Sequence, residues 1–229
     1  MTRKLFLFIG LISLFAACIP SPESLATQTA DVLTPTPEMT ATQAPTATIK
    51  PSPTPIQLLD LDRPVPQTIP IYHIFGDSNV NYSGFHPGYD YGFNTCVPIE
   101  EKIIAMGNGE VIRTDVDDPH PSGKTGGLRI DYGVHVLKNG EIRRIVSQFG
   151  HIIPLVYVGQ IIDTNTVVAE FSTCERYGYY PELEIQIISL NVESTKHLSG
   201  SVLDNFLSSE IDHGEDLSID PALVGLDPN

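Results

Sequence analysis

The segment "FHPGYDYG", residues 85–92, places His86 and Asp90 four positions apart around a Pro-Gly turn. An imidazole and a carboxylate so spaced are either two polar side chains on a surface turn or half of a metal site. A second pair of chemical interest lies in "PELEIQII", where Leu183, Ile185 and Ile187 alternate with Glu182, Glu184 and Gln186. The two-residue period of a strand puts both glutamates on one face, about 7 Å apart, with the apolar set turned to the core. On an open surface two such carboxylates are unremarkable. In a groove they repel, and one takes up a proton unless a cation sits nearby.

The elements that must carry these residues are short and β-rich. "KIIAMGNGEVIRTDV" (102–116) reads as strand, Gly-Asn-Gly turn and strand, and Asn139-Gly140 marks a hairpin between alternating apolar flanks. "PLVYVGQIID", "TVVAEFS" and "ELEIQIISL" add further strands, while "SVLDNFLSSEI" (201–211) is the one stretch that reads as an amphipathic helix. Turn signals about every ten residues indicate an all-β fold, an antiparallel sandwich or barrel-like sheet.

The N-terminus speaks to compartment. Arg3 and Lys4 precede an apolar run from Leu5 to Ala17, too short for a comfortable membrane span and consistent with a secretory signal peptide over 1–17. Its ending, "LFAAC", resembles the lipobox of bacterial lipoproteins, with Phe15 where leucine is commoner. That resemblance implies cleavage before Cys18, a lipid on its thiol, and attachment to the extracytoplasmic face of the cell membrane. Residues 18–56 are dominated by Thr, Pro, Ala and Ser, without apolar periodicity. Such a stalk cannot bury enough surface to offset its ordering entropy and is expected to stay disordered and extended. A folded domain over 57–190 and an acidic C-terminal extension over 191–229 follow. The extension holds eight Asp/Glu against one Lys, and the chain's net charge of −15 argues against nucleic acid as a partner. With Cys18 lipidated, Cys96 and Cys174 form an even pair in an oxidising compartment. They are either a disulfide or two separate buried thiols.

The order of these signals resembles the lysostaphin/LytM-type zinc endopeptidases. "HPGYD" is similar to the His-x-Gly-x-Asp segment of that family. "IAMGNGEV" resembles its next strand and hairpin, with Ala105, Gly109 and Val111 in place, and "FGHIIPLVYVGQIID" resembles its Tyr-x-His-Leu segment and following strand. The likeness covers about 120 residues in order. It implies a peptidoglycan endopeptidase fold with an active-site groove, in which His86 and Asp90 are zinc ligands and His151 is a catalytic histidine. The family's closing His-x-His is replaced here by Glu182-Leu183-Glu184. Glu184 then stands at the third ligand position and Glu182 at that of a catalytic histidine. The resemblance also brings Cys96 and Cys174 to the rim of the groove.

Hydrolysis by zinc needs three protein ligands and one open coordination position. One histidine with two carboxylates is a harder, more anionic set, weaker and less selective for zinc. Glu182 fits a general base, a role carboxylates fill in other zinc hydrolases. The alternative is a degenerate member that binds peptidoglycan or activates a partner cell-wall hydrolase. A third reading, a calcium or adhesion module, rests on "DVDDPHPSG" (115–123), which lacks the ligand pattern of an EF-hand. His73 is expected at a strand edge and His135 on the outside of a hairpin strand. His120, His197 and His213 have no ligand spacing to other residues.

Overall fold

The computed structural model describes residues 55–78, 86–115, 126–174, 180–212 and 217–228. The signal segment, Cys18, the Thr/Pro-rich stretch up to residue 54 and most of the "DVDDPHPSG" loop lie outside them.

Among the described residues ten strands join one sheet: β1 (Ile71–His73), β2 (Gly88–Gly92), β3 (Lys102–Ile104), β4 (Gly109–Asp115), β5 (Gly126–Val136), β6 (Ile142–Pro154), β7 (Ile161–Ile162), β8 (Val167–Phe171), β9 (Glu182–Leu190) and β10 (Ser218–Ile219). The main path runs β1-β2-β9-β6-β5-β4-β7, with β10 on β9 and β8 bridging β6 and β3. Every strand–strand ladder is antiparallel, so the fold is all-β, as the turn spacing indicates. Gly140 takes φ +88° in the β5–β6 turn, a left-handed conformation that glycine adopts without a Cβ penalty.

Alternation on β9 sorts its side chains cleanly. Leu183, Ile185 and Ile187 enter the main core with Phe149, Ile145, Leu128, Ile130 and Tyr91. Ile188 and Leu190 face the other way, where Val146 and Ile112 join them beneath Leu203 and Leu207. Those two leucines belong to helix α2 (Gly200–Asp212), which follows the short helix α1 (Val192–Thr195). Burying each such aliphatic side chain is worth about 1.5–3 kcal/mol.

The residues after Asn191 thus pack on the sheet rather than trailing from it. Arg144 of β6 is buried; it donates to both carboxylate oxygens of Asp131, at 3.1 and 2.6 Å, and to the carbonyls of Thr195 and Leu198 at 2.5 and 2.8 Å. Arg129 of β5 donates to Asp204 at 2.7 Å and to Ser208 at 3.0 Å. Val224 and Leu226 return to the main core. One face of the sheet therefore carries a covered apolar patch and, further along the same rows of side chains, the polar residues Glu182, Glu184 and Gln186.

Candidate metal centre and its groove

β2 and β9 are neighbours, and their register sets Asp90 opposite Glu184 and Gly88 opposite Gln186. Glycine at 88 is required by this approach, because a Cβ there would meet the Ile185 carbonyl oxygen at 2.0 Å. No turn forms at Pro87-Gly88: Pro87 leads straight into β2, which pairs with β9, and His86 lies against Asp90. His86 Nδ1 lies 2.8 Å from the Gly88 carbonyl, which accepts its proton and leaves Nε2 to face Asp90 Oδ2 at 3.1 Å. His86 is almost fully buried, Asp90 nearly so, and the Glu184 side chain is 22% exposed at the mouth. One ligand atom from each of His86, Asp90 and Glu184 lies within 4.8 Å of the other two.

His151 comes from β6, and a backbone irregularity delivers it. Phe149 and Ile152 are both core residues, three apart instead of two or four. The β5–β6 register shifts between the Leu128–Phe149 and Gly126–Ile152 pairs, and His151 takes φ +64°. The bulge places Gly150 and His151 together on the groove side. His151 Nε2 then lies 3.2 Å from Glu184 Oε2 and 3.7 Å from Glu182 Oε1. Left-handed backbone at a histidine is uncommon and marks a position held by its surroundings.

Glu182 is buried deeper than Glu184 and accepts a hydrogen bond from the Tyr72 hydroxyl. Burial, with the charge of Glu184 added, pushes its carboxyl up to about 7. Asp90 is also raised, by burial first and by Glu184, against the opposing pull of His86. His86 is raised as well: burial alone lowers it, but the hydrogen bond and charge of Asp90, together with Glu184, outweigh that.

β1 contributes two residues that sequence reasoning did not bring to the site. Its register with β2 shifts between Ile71 and His73, so that Tyr72 and His73 both look onto the groove. Tyr72 reaches Glu182, and the His73 ring stands 5.9 Å from that of His86. Bulges leave no mark in an alternation pattern, so neither residue was legible by periodicity. Among the described residues Cys96 and Cys174 are disulfide-bonded, with Cα atoms 5.5 Å apart, tying the segment after β2 to the one after β8.

No protein-family model matches the sequence, and no curated protein matches it. Among solved structures, the chain resembles the catalytic domain of the antimicrobial peptidase lysostaphin from Staphylococcus simulans. The identity is 17% over 68% of this chain and 91% of that one, with a TM-score of 0.38. A zinc-containing peptidase from Vibrio cholerae aligns at 18% identity over 58% of this chain, with a TM-score of 0.41, and this chain spans 37% of that protein's length. A chain of the SpoIIQ–SpoIIIAH pore-forming complex aligns at 10% identity over 67% of this chain and 99% of its own, with a TM-score of 0.42.

The donor set of the groove suits a divalent metal. One imidazole with its second nitrogen anchored on a carbonyl, and two carboxylates brought into like-charge opposition, together supply the neutral and anionic donors such an ion takes.

Proposed function

We propose that this protein is a cell-envelope metallohydrolase acting on peptide bonds of peptidoglycan, with His86, Asp90 and Glu184 holding a zinc ion. The observation that carries the reading is the convergence of those three side chains on one point of the groove. A zinc ion bound there supplies Lewis acidity toward a scissile carbonyl.

The chain's own residues supply the rest. Glu182, shielded from solvent and held by Tyr72, would accept a proton from the attacking water and return it to the leaving amine. His151 Nε2 lies between the two glutamates, where it donates to Glu184 in the resting site and to a developing oxyanion during reaction. Glu184, 22% exposed, lies at the solvent side of the site, where an extended peptide would approach, and the disulfide between Cys96 and Cys174 ties the segment after β2 to the one after β8. Cys18, lipidated, would anchor the protein to the outer face of the membrane, with residues 18–56 as a spacer toward the cell wall.

A second reading has its own observation. His151 Nε2 sits 3.2 Å from Glu184 Oε2, a contact that occupies the third ligand without a metal. On that reading the groove is a degenerate site that binds peptidoglycan or a partner hydrolase. Purified peptidoglycan incubated with the zinc-loaded protein separates them. Release of new amino termini, lost in Glu182→Gln, supports hydrolysis. Co-sedimentation without cleavage supports the binding module.

A further inference from the structure

The connection between β6 and β7 turns large apolar side chains outward. Residues 152–162 include no charged side chain, in a chain whose net charge is −15. Val156 packs against the core and Ile162 lies within it, yet Tyr157 is 69% exposed and Ile161 75%. Leu155, Val158 and Val167 are exposed as well. Apolar residues scattered singly over a surface need no explanation, whereas several from one short stretch of chain mark a surface that meets a partner.

Backbone bonds hold this stretch in shape. The Gln160 amide donates to the Tyr157 carbonyl at 3.1 Å, closing a turn in which Gly159 takes φ +86°. The Gly159 amide donates to the Val111 carbonyl at 2.8 Å, and the Val111 amide donates to the Gln160 carbonyl at 2.9 Å, so the turn is fixed to β4. The Leu155 amide donates to the Val168 carbonyl at 2.9 Å, which brings Leu155 beside the start of β8. β7 ends the main strand path, and the exposed side chains therefore lie at an edge of the sheet.

Two features of the chain select the occupant. The apolar run from Leu5 to Ala17 and Cys18 read as a membrane-tethered N-terminus, joined to the folded domain by residues 18–56. A tether makes a second, weak contact with the same surface intramolecular, so a small patch suffices. The turn itself offers a tyrosine with aliphatic neighbours and no ion, a set that enters the boundary between headgroups and acyl chains without stripping water from a charge.

We propose that the β6–β7 turn, through Leu155, Tyr157, Val158 and Ile161, docks the folded domain on the lipid surface to which the chain is tethered. It rests on the reading of Cys18 as a lipid anchor. With no cation on the turn and a negative chain behind it, the contact is apolar. Salt leaves it unchanged, and anionic lipid does not strengthen it.

The test uses the mature protein reconstituted with phosphatidylcholine vesicles, carrying a thiol-linked fluorophore on Tyr157→Cys or on Val202→Cys, a comparably exposed position of α2. Spin-labelled phosphatidylcholine should quench the label at 157 several-fold more than the label at 202. That difference should survive high salt, should not grow when phosphatidylglycerol is added, and should vanish when Leu155→Ser and Ile161→Ser are combined. Equal quenching at the two positions, in protein that still floats with the vesicles, overturns the docking and leaves the anchor standing. Protein that does not float with the vesicles overturns both. A label at 157 that is shielded but not quenched, in a protein that cross-links as a dimer only while Leu155 and Ile161 are intact, gives the patch to a second copy and overturns the lipid contact.

Discussion

Asp90 and Glu184 face each other directly across the β2–β9 ladder, two carboxylates at a paired position on one face. Like charges so placed destabilise a sheet, and here one of them is largely buried. His86 and His151 each contact one of these carboxylates and offset part of the repulsion, and a divalent cation between them offsets more. Zinc should therefore stabilise the folded protein strongly. At a hundredfold excess over Kd the gain is about 2.7 kcal/mol, a rise in Tm of roughly 5–11 °C for a chain this size. Thermal melts with and without zinc should show that shift in the wild type and not in Asp90→Ala.

Glu182 gives a pH dependence with a definite sign. Its carboxyl is raised from 4.5 to about 7 in the folded protein, so the native state binds more protons than the unfolded chain between those values. Its contribution to stability is full below 4.5 and is lost as pH rises through about 7. The loss amounts to about 3 kcal/mol in metal-free protein. Glu182→Gln should flatten this part of the profile and leave the metal-free protein more stable than the wild type at pH 8, as measured by urea unfolding.

Gly88 tests the close approach of β2 to β9. An alanine there drives its Cβ into the backbone of Ile185, which cannot give way without opening the ladder. Gly88→Ala should cost about 4 kcal/mol or more. It should also release His86 from Asp90, so soluble variant should bind zinc at least tenfold more weakly.

Much of this was legible beforehand. Strict alternation in "ELEIQIISL" marked β9 and put Glu182 and Glu184 on one face, and Asn139-Gly140 marked the β5–β6 hairpin. The spacing of His86 and Asp90 marks them as candidate ligands, and in the structure Gly88 opens β2 directly, so a strand rather than a turn joins them. What alternation cannot show is a bulge. His151 reaches the groove through φ +64°, and Tyr72 and His73 through a register shift in β1. The helix over 201–211 was legible from its amphipathic pattern, but the acidic composition after Asn191 does not show that Leu203 and Leu207 pack on Val146 and Ile188.

Arg144 is the strongest clamp on that C-terminal segment. Its guanidinium is buried against Asp131 and two carbonyls. Arg144→Ala leaves the Asp131 carboxylate buried without it, at a cost of about 3–5 kcal/mol. Limited proteolysis should then cut first within residues 191–212.

The bond between Cys96 and Cys174 closes a long loop, with a sequence separation of 78. Removing it with Cys96→Ser and Cys174→Ser together should lower stability by about 2–5 kcal/mol, the range typical for loss of a native disulfide, with loop length favouring the upper end. Melts in the presence of a reductant should lower the wild-type Tm toward that of the double variant and leave the variant unchanged.

The most direct measurement is the zinc content of the purified protein beside that of Glu184→Ala, each equilibrated with zinc and freed of excess by gel filtration. One tightly held ion per chain at the His86–Asp90–Glu184 position, absent from the variant, is the expected result. Equal zinc in the two proteins, or none in either, would contradict the proposed metal centre.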